Sequence, residues 1–153
     1  MNRNDEAFAT AKLIRDLYSL CMRRVGRSMS DSGLSAQQAM VVRLLAHGQV
    51  HKVTDLCREL SLTKGTVSGI LARMEDGGLI EKFKQGGDGR NVYLRFSEKG
   101  RRLAAESRGV LSDSFDRLFE GFADAELQAA RQSLTDILER MQAKQEEETW
   151  TED

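Results

Sequence analysis

Residues 54–97 read TDLCRELSLTKGTVSGILARMEDGGLIEKFKQGGDGRNVYLRFS. The stretch divides into a short helical run, a break at SLTKG, a second helical run, a glycine-rich gap and a strand. Thr54 is the expected N-cap of the first run, with Asp55 in the first turn, where the helix dipole favours an anion. Leu56, Cys57 and Leu60 then share one face. Ser61-Leu62 leaves room only for a tight corner. Thr63 is the expected N-cap of the second run, in which Val67, Ile70, Leu71 and Met74 form one apolar stripe at helical spacing. Gly77-Gly78 ends it, because glycine suits the left-handed position just past a helix C-terminus. Two helices joined by so short a turn form a helix-turn-helix.

The other face of the second helix carries Gly65, Gly69 and Ala72. Lys64 and Ser68 flank them on one side, Thr66 and Arg73 on the other. An interior glycine costs a helix roughly 1 kcal/mol relative to alanine. Two of them on one face point to close approach by another surface. A neutral solvent face is the other reading, and this face alone does not separate the two. A nearly bare helix edged with hydroxyls and cations suits a DNA major groove.

After the glycines, Val92, Leu94 and Phe96 alternate with Tyr93 and Arg95, which is strand periodicity with one buried face. Residues 79–84 supply the partner strand. The loop 85–91 between them carries Arg90 near its tip. An arginine on a narrow loop can enter a minor groove, where the negative potential is deepest. Asp88 can hold that guanidinium through a carboxylate fork. A lone Asp-Gly-Arg loop also reads as ordinary solvated charge.

The combined pattern is more specific than its parts. It joins the Leu60-Ser61-Leu62-Thr63 turn, Thr66-Val67-Ser68, Met74-Glu75 and the Gly78-Leu79-Ile80 exit. The wing adds Asp88-x-Arg90 and the Leu94-x-Phe96-Ser97-x-x-Gly100 close. With these residues the chain resembles the winged helix-turn-helix of the MarR (multiple antibiotic resistance regulator) family. The resemblance implies a cytoplasmic, dimeric transcription regulator, a repressor, acting on a palindromic duplex operator. It implies major-groove or phosphate contacts from Thr63, Lys64, Thr66, Ser68 and Arg73. Arg90, positioned by Asp88, is the expected minor-groove contact.

Composition agrees in distribution rather than in total. The 153 residues carry a formal net charge of -1. Residues 1–51 hold 7 basic and 4 acidic side chains, residues 52–102 hold 11 and 7, and residues 103–153 hold 5 and 13. A basic front and an acidic back suit a protein that presents one side to a polyanion. Two distant cysteines form no disulfide framework, which fits an intracellular protein. No long apolar run predicts a membrane span, and the N-terminus lacks a signal peptide's apolar stretch.

The flanks read as helices. Over residues 5–30, Leu13, Ile14, Leu17, Leu20, Cys21 and Val25 make a wide apolar stripe that Gly33 ends. Ser35 and Gln38 form a capping box for a second helix, which turns Met40, Val41, Leu44 and Leu45 to the core and stops at Gly48. Ser97 caps a fifth helix carrying Leu103, Val110, Leu111, Phe115, Leu118, Phe119 and Phe122. Arg101 and Arg102, in its first turns, are either phosphate contacts or solvated charges. A sixth helix repeats Leu127, Ala130, Leu134, Ile137, Leu138 and Met141 in threes and fours, and the tail from Lys144 reads as frayed. The expected fold is mostly α with a small β-wing. Residues 34–102 form the winged helix-turn-helix, and residues 1–33 and 103–153 form a helical dimerisation region. The periodicity shows only that these long faces need covering; pairing with a second copy is what the resemblance implies.

Little in the sequence points to an enzyme, and no cofactor or metal is expected. His47 and His51 stand at i, i+4, but Gly48 breaks the helix between them. There is no phosphate-binding glycine loop and no nucleophile elbow. Cys21, near Arg23 and Arg24, reads as core packing or as a redox thiol, since one branch of the family senses hydroperoxides through a cysteine on this helix. The family also binds small phenolic or organic-acid effectors, which places Tyr18, Met22 and Met40, at the junction of the first and fifth helices, as candidate lining residues. A winged-helix module that docks a protein partner is the remaining alternative.

Overall fold

The computed structural model describes residues 2–49, 51–87 and 89–150, with side chains through Gln145. The element order is α1 (Arg3–Ser28), a 3-10 turn (Ser30–Ser32), α2 (Ala36–Ala46), α3 (Val53–Leu60), α4 (Lys64–Asp76), β1 (Ile80–Phe83), β2 (Tyr93–Phe96), α5 (Glu98–Leu118) and α6 (Asp124–Trp150). The chain forms two compact units, one ending at Leu118 and one beginning at Phe119. Asp88 lies outside the described residues, so its expected role in holding Arg90 has no geometry here.

In the first unit, α4 is the centre of the core. Its Val67, Ile70, Leu71 and Met74 are each at most 1% exposed, as their spacing predicts. Burying a side chain of that size contributes roughly 1.5–3 kcal/mol. Leu56 of α3, Ala39, Val41 and Val42 of α2, Val25 and Met29 at the end of α1, and Leu34, Ile80, Leu94 and Leu111 complete this cluster. Met40 is only half-buried, and Val42 takes the core position beside Val41. The Ser35–Gln38 capping box is present, with Gln38 N–H to Ser35 Oγ at 3.2 Å and Ser35 N–H to Gln38 Oε1 at 2.9 Å. α1 stops at Ser28 rather than at Gly33, which instead closes the 3-10 turn that follows.

Thr54 is not the cap of α3. The helix begins at Val53, and capping comes from inside it: Asp55 Oδ2 accepts from His51 N–H at 3.1 Å and Lys52 N–H at 3.0 Å. Residues 51–53 are held extended by the wing, through Leu94 N–H to His51 O at 2.9 Å and Val53 N–H to Val92 O at 3.0 Å. That moves the helix start ahead of the threonine. Asp55 titrates below its ordinary 3.8, chiefly because the His51 N–H favours its charged form.

β1 and β2 pair antiparallel in the register Ile80 to Phe96 and Phe83 to Tyr93. Ile80 and Leu94 are buried on the inner face. On the outer face Phe83 stacks on Tyr93 at 5.7 Å, with Arg95 over Phe83 at 5.1 Å and Lys52 over Tyr93 at 5.3 Å. A two-stranded hairpin is marginal by itself. The bridge between Lys52 and Tyr93 and the inner apolar face supply what it lacks.

The hairpin joins α5 at a tight corner. Ser97 Oγ donates to Gly78 O at 2.6 Å and accepts from Gly100 N–H at 2.9 Å, so it caps α5 as predicted. Gly78 takes the left-handed position after α4, with φ of 71°. Gly100 lies against the Leu79 backbone so closely that a Cβ there would overlap the Leu79 carbonyl.

In the second unit, Phe119 and Phe122 meet edge to face at 6.2 Å, and Glu126 Oε2 accepts from Ala123 N–H at 2.8 Å at the start of α6. α6 runs on to Trp150, so the segment from Lys144 is helical where fraying was expected.

Candidate nucleic-acid interface

The outer face of α4 is open. A Cβ built on Gly65 or on Gly69 meets nothing within 4 Å, so nothing in the described structure requires glycine at either position. Thr63 caps the helix. Its Oγ1 accepts from Thr66 N–H at 3.3 Å and lies 2.9 Å from Thr66 Oγ1. Both threonines are exposed at the leading end of the helix.

The predicted residues stand on two sides of the helix, as its wheel places them. Lys64 and Ser68 line a cleft of about 530 Å³ between α3, α4 and the wing, and Arg90 reaches the same cleft from the loop. Arg73 does not join them. It lines a second cleft of about 490 Å³, where the end of α4 meets the starts of α2 and α5. The cause is helical geometry: at about 100° per residue, Arg73 lies roughly half a turn round the axis from Lys64.

Sequence reasoning missed three residues of the first cleft, Thr54, Arg58 and Lys82. A signal existed for each. Thr54 and Arg58 are an i, i+4 pair, so they share one side of α3. Lys82 has the same strand parity as buried Ile80, so it points inward where an apolar residue was due. Two of the cleft's cations already have carboxylate partners. Arg58 Nη2 is 3.3 Å from Asp55 Oδ1, and Lys82 Nζ is 3.2 Å from Glu75 Oε2. Such exposed pairs contribute about 0–1 kcal/mol, so exchanging the carboxylate for another anion is inexpensive. Cys57 also lines this cleft and is half-buried rather than sealed in the core.

Tyr18, Met22 and Met40 do meet. With Gln37, Glu59, Leu60 and Leu62 they line a cavity of about 140 Å³. The cavity lies between α1, α2 and the end of α3; no α5 residue lines it, which corrects the expected junction. Cys21 is half-buried on α1. His47 Nδ1 lies 2.8 Å from Arg43 O, and His47 is the C-cap at which α2 ends. No described helix is long and apolar enough to cross a membrane.

A helix-turn-helix whose second helix presents a bare, cation-edged face, followed by a two-stranded wing, defines a winged-helix protein. The family model described as the MarR family matches residues 32–91. The HTH-type transcriptional regulator FarR of Neisseria gonorrhoeae is 28% identical over 92 residues, a match that spans 60% of this chain and 63% of FarR. The homoprotocatechuate degradative operon repressor of Escherichia coli is 25% identical over 114 residues, spanning 74% of this chain and 77% of the repressor. The crystal structure of a cysteine-to-serine mutant of E. coli MarR complexed with operator DNA superposes with a TM-score of 0.77 at 18% identity, covering 90% of this chain and 99% of that one. The chain is similar to the MarR family over residues 32–91 and shares the winged-helix fold of that family's solved structures.

Proposed function

We propose that the protein is a sequence-specific, DNA-binding transcriptional regulator of the cytoplasm, a repressor that acts as a homodimer on a palindromic operator. The observation that carries this reading is the open face of α4 with a cationic cleft on its wing side. Thr63, Lys64, Thr66 and Ser68 meet the major groove or its phosphates, Arg73 meets phosphate on the other side, and Arg90 enters the minor groove. The surface is poor in bidentate base readers, so part of the specificity comes from DNA shape. Homology supports the class of activity, since one relative is named as an operon repressor and a structural neighbour is complexed with operator DNA.

The homodimer accounts for apolar surface that the single chain leaves bare. Phe8, Leu13, Leu17 and Tyr18 on α1 are between 52% and 73% exposed, and Leu134, Leu138 and Met141 on α6 between 46% and 61%. Monomeric soluble proteins rarely expose apolar patches of more than a few hundred Å². In this reading residues 1–33 and 103–153 form the dimerisation region, and a two-fold axis sets the reading helices one DNA turn apart, roughly 34–36 Å.

A small phenolic or organic-acid effector occupies the cavity of Tyr18, Met22 and Met40. At about 140 Å³ it accepts little more than one ring; an apolar cavity of ~150 Å³ binds benzene. The cavity joins α1 to the end of α3, so filling it shifts the reading head against the dimer helices and lowers DNA affinity. Arg90→Ala tests the interface. It is expected to weaken binding to operator duplex, most on sites with narrow-groove flanks. Unchanged affinity in an electrophoretic or anisotropy titration contradicts the wing assignment.

A further inference from the structure

α4 lies between two cationic clefts, and of the cleft away from the wing only Arg73 enters the reading above. Lys64, Ser68 and Leu71 wall that one. Arg73 and Gly77 wall the other, about half a turn round the helix. The bare face of Gly65, Gly69 and Ala72 lies between the two. A helix seated in a major groove about 12 Å wide has a sugar-phosphate strand on each side. The second cleft holds three cations, Arg73, Lys99 and Arg102, against one carboxylate among its described lining residues, Glu106. They come from two elements: Arg73 from α4, and Lys99 and Arg102 one turn apart on α5. Lys99 is pinned in place, because its Nζ donates to Gly77 O at 2.8 Å at the end of α4. Arg101 is directed elsewhere, its Nη1 donating to Phe96 O at 3.3 Å.

We propose that Arg73, Lys99 and Arg102 clamp the phosphate strand on the side of α4 away from the wing, so that α5 contacts DNA directly. The inference rests on the DNA-binding reading and adds to it the partner of the second cleft. Cations on both flanks of one helix match the two strands of a duplex rather than a single small anion. The contact is with backbone, so it adds affinity without reading sequence.

The test is a salt titration of binding, by fluorescence anisotropy, on operator and random duplexes. Arg102→Gln is expected to reduce the slope of log affinity against log salt by about 0.9 per subunit, equally on both duplexes. Arg102→Lys keeps the slope, and Glu106→Gln tightens binding to both. Single methylphosphonate substitutions locate the contact. Arg102→Gln and Lys64→Gln are expected to lose sensitivity at phosphates on opposite strands. Arg102 is exposed, and an unchanged melting temperature confirms that the variant folds. If Arg102→Gln leaves the slope unchanged while Arg90→Ala weakens binding, the clamp is wrong and the DNA-binding reading stands. Relief on the same strand also overturns the clamp. If the unaltered protein binds no duplex, both readings fail.

Discussion

Gly69 sets the protein's stability against its binding. Nothing lies within 4 Å of a Cβ at this position, and its φ is ordinary for a helix. Gly69→Ala is therefore expected to stabilise the fold by about 0.4–1 kcal/mol in a thermal melt. The same methyl stands on the face proposed to meet the groove floor, so duplex affinity is expected to fall. A stabilised variant with unchanged affinity marks the face as ordinary solvent surface. Asp55 carries a second residue-scale prediction. Its carboxyl titrates below 3.8 in the folded chain because backbone N–H groups hold its charged form. Its contribution is fully present above the ordinary value and disappears as pH falls through the lowered one. A pH series of melts is expected to show Asp55→Ala about 0.5–2 kcal/mol less stable at neutral pH. The difference should shrink below about pH 4; a gap constant into acid contradicts the cap. The sequence placed Asp55 in the first turn but named Thr54 as the cap. The deciding bonds from the wing to residues 51–53 join segments some 40 positions apart, beyond the reach of local pattern.

At the scale of elements, α4 and the wing were legible because each has a strong period and marked ends. The apolar stripe, the Thr63 cap and the Gly78 exit all stand where the residue types require them. The wheel already sets Lys64 and Ser68 on one flank of α4 and Arg73 on the other; what was not legible was which elements close over each flank, α3 and the wing over the first, the starts of α2 and α5 over the second. Arg58 and Lys82 escaped notice because a charge on a helix or strand reads as solvated until a neighbouring element closes over it. The α4–wing–α5 corner depends on Gly100, whose place in the sequence pattern carried no explanation until the Leu79 carbonyl was found against it. Gly100→Ala is expected to cost about 1–3 kcal/mol, the usual range for overpacking. Circular dichroism melts are the check, and a wild-type melting temperature contradicts so close an approach.

Over the whole molecule the sequence showed an acidic C-terminal third, a basic front and apolar helix faces in need of cover. It could not show the partner, because periodicity reports that a face is apolar and not what lies against it. The exposed faces of α1 and α6 and the two cationic flanks of α4 converge on one account, a two-fold pair of reading heads on a duplex. Analytical ultracentrifugation of the purified chain, alone and with a labelled operator duplex at about 50 mM salt, tests it most directly. The account predicts a dimer in the free protein and two chains on each duplex, released as salt rises toward about 200 mM. A chain that stays monomeric, or a duplex that sediments unchanged at low salt, contradicts it.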